Sequence, residues 1–346
     1  MNNSRTAIVG TGIVSSSHVK SIKKLEKSRL FCMIDTNKKI LRQKSNYFKI
    51  NQISDDVDYL TEVAEPDIVH ICTPPQYHLD LIMKLASKGV HLFVEKPFVL
   101  NMDDLNKVKG IKSESIIHCN HNYTFKSCIV KLLNLANELE VRPKQIKALY
   151  SIKTDNGIYD QENDNIHWSY DIPSGPIINN ISHPLSVINL FGGSFNDFNI
   201  SQKIDDSLDS WNISIDGEIC HSSCSIFMSK KHFAKLADFV FDDFSVRCDL
   251  HRDTLYVYNI RGSVLKDFLY ESLKNAFYSG RDLFASLPRI YQSITRKMPD
   301  MDRSLSFFYE SIENGKANRI NESQIADTTK VIDKIINQSE YLLKEL

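Results

Sequence analysis

Through about residue 120 the chain repeats one rhythm, a short apolar run followed by an amphipathic helical stretch. "TAIVG" leads to a helix expected around 13–26, and "RLFCMID" to one around 37–46. "PDIVHICTP" precedes "QYHLDLIMKLASKG", "VHLFVEKP" precedes "MDDLNKVKG", and "SIIHCN" closes the series. Strands alternating with helices imply right-handed βαβ units and a parallel sheet covered on both faces. The helix after "TPP" shows its inner side in Leu79, Ile82, Met83, Leu85 and Ala86, with Gly89 as its stop.

From about residue 145 the period changes to two. "IKALYSIK", "WNISID", "ICHSSCSIFM", "FSVRCDL" and "TLYVYNI" follow closely, and Phe244, Val246, Cys248 and Leu250 alternate with polar residues. That pattern predicts an antiparallel sheet with one face packed and the other free for a ligand or partner. Helices are expected again from about 263, 302 and 322, the last running nearly to residue 346. The fold class expected is α/β plus α+β. A doubly wound Rossmann domain would span residues 1–121. An α+β domain with a large open, mostly antiparallel sheet would span 122–346, its C-terminal helix free to pack back on the first domain.

The turn "IVGTGIVSSSH" (8–18) joins the first strand to the first helix. In a dinucleotide-binding turn the first glycine permits the bend, the second admits the pyrophosphate and the third allows close helix packing. Gly10 and Gly12 fill two of these places, and Ser15, a small residue, fills the third. Thr11, Ile13 and Val14 complete the turn. Asp35 ends the second apolar run, 23 residues past Gly12. An acid there accepts bonds from ribose hydroxyls and repels a 2′-phosphate, which predicts NAD in preference to NADP. A loop carboxylate without that role is the plain alternative.

Lys+Arg (42) and Asp+Glu (43) nearly cancel, so charge calls for neither nucleic acid nor an anionic membrane as partner. The seven cysteines are scattered, with no CxxC pair. Cys220 and Cys224 read as strand thiols rather than metal ligands, and no metal site is expected. Without a signal-like start or a long apolar run, a reduced, cytoplasmic protein is expected.

"CTPPQYH" (72–78) and "VEKPF" (94–98) each follow the carboxyl end of an expected strand, the edge where open α/β sheets bind ligands. Thr73, Pro74, His78, Glu95 and Lys96 therefore become site candidates. Farther on, "SGPIINNISHPLSVINLFGG" places Asn179 and His183 four apart, on one face of a helix whose stripe is Ile177, Ile181, Leu185 and Ile188. Imidazole suits proton transfer to or from a carbonyl oxygen. A helix-terminal histidine making structural hydrogen bonds is the plain alternative, and Pro184 is expected to kink or restart the helix.

Gly10-Thr11-Gly12, Asp35, Thr73-Pro74-Pro75 with His78, and Glu95-Lys96-Pro97 follow the order and spacing of the Gfo/Idh/MocA oxidoreductases, and the resemblance extends through 174–193 and the closing helix. It implies hydride transfer between NAD(P) and a sugar, cyclitol or sugar nucleotide. It also implies that Lys96 contacts substrate and cofactor, and that His183 is the acid/base or its close partner. Asn122, after the last strand of the first domain, would face the cofactor; Tyr123, His167, Trp168 and Tyr170 would line the sugar pocket. The family usually carries Asp where this chain has Asn179, and an amide orients a hydroxyl but carries no proton. The reading is an NAD-dependent sugar oxidoreductase, its substrate a nucleotide-activated sugar, forming a homodimer or homotetramer through the open sheet. The alternatives are a sensor or assembly subunit that binds NAD and sugar without turnover, a keto-sugar reductase, and a cyclitol dehydrogenase. The acidic stretch around Tyr159 reads as a solvated loop, and the aromatic-rich 263–300 as packing or oligomer surface.

Overall fold

The computed structural model describes residues 4–153, 167–172, 174–205, 208–229, 233–259, 299–316 and 319–345. The expected loop around Tyr159 and the helical stretch from 263 to 298 lie outside them. Among the described residues no helix is long and apolar enough to cross a membrane.

Six parallel strands make the first sheet: β1 (Ser4–Val9), β2 (Ser28–Ile34), β3 (Gln52–Ser54), β4 (Ile68–Ile71), β5 (His91–Val94) and β6 (Ile117–Cys119). Their order is β3-β2-β1-β4-β5-β6, so the topology switches direction between β1 and β4 and opens a crevice at their carboxyl ends. Helices α1 (Ser15–Ile22), α2 (Lys38–Phe48), α3 (His78–Ala86) and α4 (Met102–Lys109) are the crossovers. Two apolar clusters cover the sheet's two faces, which is why its central strands read as unbroken apolar runs. Two details depart from the sequence expectation. Helix α1 is shorter at both ends than 13–26, and Met83 lies off the buried stripe of α3. The three-residue β3 is too short to show a period.

After α5 (Ser127–Glu138) comes a seven-stranded sheet: β7 (Gln145–Lys153), β8 (Phe195–Asp205), β9 (Leu208–Gly217), β10 (His221–Ser229), β11 (Lys235–Val240), β12 (Phe244–Asp249) and β13 (Thr254–Asn259). The order is β13-β12-β11-β7-β10-β9-β8, antiparallel throughout except between β7 and β10. Its inner face, with Tyr150, Trp211, Ile213 and Ile226, packs on α6 (Gly175–Gly192) and α8 (Arg319–Glu345). The outer face of β8, β9 and β10 carries short polar residues, Asn199, Ser201, Asn212, Ser214, Ser223 and Ser225, and none of them is buried.

Helix α6 runs through Pro184 without a break, contrary to the expected restart. An interior proline removes one helix hydrogen bond at a cost of about 3 kcal/mol. Here nearly every flanking side chain, including Ile177, Ile181, Leu185 and Ile188, is buried, and that packing outweighs the loss.

The last two helices tie the sheets together. Helix α7 (Pro299–Glu313) puts Met301, Leu305, Phe308 and Ile312 into the core of the first sheet beside Ile8 and Ile22. Helix α8 gives Ile325 to the first sheet's other cluster and Val331, Ile332 and Ile335 to the second sheet's core. The site edge of the Rossmann sheet is thereby held against α6.

Candidate active site

At the carboxyl end of β1 the two glycines have different surroundings. Gly10 has φ +89°, and a Cβ there would lie 2.7 Å from the backbone C of Cys72 and N of Thr73. It lets β1 and β4 end side by side. Around Gly12 nothing would lie within 4 Å of a Cβ, so the backbone faces open space. Thr11 donates its N–H and hydroxyl to Asp35 Oδ2 at 2.5 and 2.7 Å, and the Asn37 N–H reaches Oδ1 at 2.8 Å. A carboxylate has about four acceptor positions, so one on Oδ1 is left for a ribose hydroxyl. Fully buried Ser15 donates to the Gly12 carbonyl at 2.8 Å, and thus does more than occupy the third glycine's place. Lys44, from α2, donates to Ser15 Oγ at 2.9 Å and to the Gly12 carbonyl. Burial lowers its amine's pKa.

Ile13 is 77% exposed beside the turn, and Val14 caps α1. Across the crevice Pro74 is half-buried, and the buried Thr73 Oγ1 has no hydrogen-bond partner. Open space at Gly12, an orphan hydroxyl at Thr73 and the remaining Asp35 acceptor fit a dinucleotide. His78 shapes this crevice from behind. It is fully buried between the two strand-end turns, with Nδ1 2.9 Å from the Phe98 carbonyl and Nε2 2.8 Å from that of Thr73; burial lowers its pKa, and the neutral ring donates to one of the two. Asn122 is also occupied, donating to Asp300 Oδ2 at 2.8 Å.

Glu95 points beneath the crevice. Its Oε1 lies 2.8 Å from His18 Nε2 and accepts from Asn120 Nδ2 at 2.7 Å. Burial opposes charge on both partners, yet the pair keeps it. Cys72 and Glu95 raise the pKa of His18 to about 10, and His18 holds Glu95 below the usual carboxylate range. His18 Nδ1 continues to His70 Nδ1 at 2.9 Å; burial and the His18 charge hold His70 well down, so it accepts. Lys96 therefore stands on a buried ion pair.

Lys96 itself turns towards the second sheet. Its Nζ donates to both the backbone carbonyl and Oδ1 of Asn179, each at 2.8 Å. Burial lowers its pKa, and the charge of Lys235 adds to that against Glu95 and Tyr123. One turn along α6, the His183 ring stacks on Tyr123 with centroids 4.0 Å apart, and Tyr150 lies beyond at 6.3 Å. Its Nδ1 is buried with no hydrogen-bond partner. Burial, then Lys96, Lys235 and Lys126, hold the imidazole well below its usual pKa, so it is neutral at pH 7. His167 lies close enough to Lys96 for burial and that charge to bring its pKa down to about 4, with Ser169 Oγ 2.9 Å from its Nδ1. Trp168 packs on the His167 ring at 5.1 Å, while Tyr170 packs on the second sheet's core.

Three residues here escaped the sequence reading. Lys235 Nζ donates to the Tyr123 hydroxyl at 3.0 Å and stands over the Tyr150 ring. Lys126 Nζ stands 4.6 Å from the Tyr123 ring centroid. Lys44 is the third. Lys126 has a weak signal, three residues after Tyr123 in "NYTFK"; Lys44 and Lys235 have none.

The doubly wound sheet with this crevice defines a Rossmann-type, dinucleotide-binding architecture. Residues 4–116 match the family model described as "Oxidoreductase family, NAD-binding Rossmann fold", the Gfo/Idh/MocA group. Myo-inositol 2-dehydrogenase of Thermotoga maritima is 25% identical over 130 residues, 37% of this chain and 39% of that protein. The chain spans between 30% and 39% of the length of the first curated relatives it matches. Two solved structures share the fold over both sheets. The UDP-N-acetylglucosamine 3-dehydrogenase of Acidithiobacillus ferrooxidans has TM-score 0.72 and 15% identity, covering 97% of this chain and 98% of that one. An Agrobacterium radiobacter oxidoreductase in complex with NAD+, L-tartaric acid and magnesium has TM-score 0.73 and 13% identity, covering 96% and 95%. Residues 4–116 thus match the NAD-binding Rossmann domain of the Gfo/Idh/MocA oxidoreductases, and over the rest of the chain the likeness to solved structures is one of fold.

Proposed function

We propose that this chain is an NAD-dependent oxidoreductase interconverting a secondary alcohol and a ketone on a sugar, a nucleotide-activated one. One observation carries the reading. Lys96 is bonded to Asn179 and lies near enough to His183 for its charge to help keep that imidazole neutral, while the His183 Nδ1 is buried without a partner.

Gly12, Thr73 and Asp35 would hold the dinucleotide, with the Lys44 cation beside the turn. Bound there, the dinucleotide supplies the hydride acceptor or donor. The chain's own residues manage the proton. Neutral His183 takes the hydroxyl proton on Nδ1 in the oxidative direction and returns it in reduction. Lys96 Nζ, held by Asn179 and backed by the Glu95–His18 pair, donates to the same oxygen as negative charge develops on it. Asn179 orients the sugar without carrying a proton. Assembly through the open sheet would pair polar faces, giving a wet interface between copies.

The test follows NADH absorbance over a panel of UDP-, GDP- and dTDP-sugars, free sugars and inositols, in both directions. Lys96→Ala and His183→Ala are expected to lose turnover and keep NADH binding. NADH binding by wild type with no turnover on any compound in either direction would refute the enzyme and favour the sensor reading.

A further inference from the structure

Beyond Lys96, two more lysines reach the pocket from elements with no place in the motif. Lys235 opens β11 and pairs in register with Tyr150 of β7, which puts it on the inner face of the second sheet. Lys126 follows the short 3₁₀ turn Asn122–Phe125 that carries Tyr123. Both converge on one ring. Lys235 Nζ is 5.4 Å and Lys126 Nζ 4.6 Å from the Tyr123 centroid, while His183 stacks at 4.0 Å.

Their counter-charges are unequal. Lys126 lies 3.9 Å from Asp300 and near Asp253. Lys96 has Glu95 behind it, a carboxylate already shared with the protonated His18. Lys235 bonds a phenol oxygen and stands over Tyr150 and Phe233, and among the described residues no carboxylate lies within 4.0 Å of it. His251, in T-shaped contact with Phe233, adds no negative charge. A partly desolvated ammonium resting on aromatic rings and a neutral hydroxyl, beside two other lysines, is an arrangement completed by an anion. The lysines already act on Tyr123. Burial would raise its hydroxyl pKa, yet Lys235 and Lys126 bring it below the usual value.

We infer that the substrate carries an oxyanion, a carboxylate or phosphoryl group, which Lys235 binds directly with Lys126 as its second cation, on the Tyr123 side of His183. The inference rests on the sugar-oxidoreductase reading and deepens it. Among the described residues, a neutral sugar would leave Lys235 without a counter-ion within 4.0 Å. A uronate, a sugar phosphate or a nucleotide sugar would supply one.

The experiment measures equilibrium binding to the NADH-saturated protein of glucose, glucuronate, glucose 6-phosphate and UDP-glucose, with NAD+ reduction followed in parallel. At least one anionic member is expected to bind roughly ten- to hundredfold more tightly than glucose, the range for a charged hydrogen bond. Whether glucuronate or a phosphoryl compound gains most identifies the oxyanion. Lys235→Met is expected to erase that advantage over glucose, with Lys235→Arg restoring most of it. Lys126→Met, at a second site, is expected to reduce it in part. Equal binding of glucose and every anionic member overturns the inference, as does an advantage that survives Lys235→Met; turnover of neutral sugars would then leave the oxidoreductase standing. Conversely, Lys235-dependent anion binding with no NAD+ reduction by any compound overturns the enzyme reading and keeps the oxyanion site.

Discussion

The two glycines of the first turn should fail in different ways when each becomes alanine. At Gly10 the new Cβ would sit 2.7 Å from two backbone atoms of Cys72 and Thr73, about 0.7 Å inside ordinary contact. Those atoms belong to the end of a central strand and cannot rotate away. Its φ of +89° adds strain of about 1–2 kcal/mol for any residue with a Cβ. Overpacking of a tight site adds about 1–3 kcal/mol. Together the loss is about 2–5 kcal/mol. At about 2–4 °C per kcal/mol for a unit of 150–250 residues, Tm should fall by at least about 4 °C. Gly12→Ala meets open space, and φ there is outside the positive range, so stability should change by under about 0.5 kcal/mol. If that space receives the pyrophosphate, its methyl group stands in the way and NADH affinity should drop more than about tenfold. Thermal unfolding and NADH fluorescence titration on both variants decide the matter. Gly12→Ala binding NADH like wild type would refute the placement of the cofactor. Gly10→Ala unfolding at the wild-type temperature would refute the close approach.

Other expectations follow from charge. Stability should fall steeply below pH 6.5, because burial holds His118 at about 3 and His121 at about 4 in the folded chain. Unfolding at pH 5 then takes up about two protons at these sites, a slope of about 2.7 kcal/mol per pH unit. His18 has the opposite sign: raised to about 10, its contribution is complete below 6.5 and is lost as the pH climbs towards 10. A Tm unchanged between pH 6 and pH 5 would contradict the buried neutral imidazoles. Asn179→Asp places a carboxylate against Lys96 and one turn from His183. The acidic limb of the oxidation rate should move up by about one unit or more, and an unmoved limb would remove His183 from the proton path. Asp35→Ser removes the acceptor for Thr11 and the negative charge together, so affinity should shift from NAD towards NADP by at least about tenfold. An unchanged preference would mean that Asp35 serves only the turn.

How much of this could be read beforehand depended on distance along the chain. The strand-helix rhythm was legible because each parallel strand is an apolar run buried on both faces, whereas three-residue β3 falls below any period. Glu95 and Lys96 were legible as a pair at a strand end. Their division of labour was not, because neighbouring side chains diverge there, Glu95 towards His18 and Lys96 towards α6. Ser15 read as a tolerated substitute for glycine. Its partner Lys44 lies 29 residues on, in a stretch resembling any solvated helix face.

Lys235 shows the limit most sharply. It is 112 residues from Tyr123 and heads an unremarkable strand. Only the β11–β7 register, Lys235 opposite Tyr150, brings it to the pocket. Slipping that register by one residue would turn it to the outer face. The short motifs thus speak for the chemistry proposed at Lys96 and His183, since each motif is local. The charge we infer for the substrate would be written in the pairing of two distant strands, and a chain with the same motifs and another residue at position 235 would be expected to choose a different substrate.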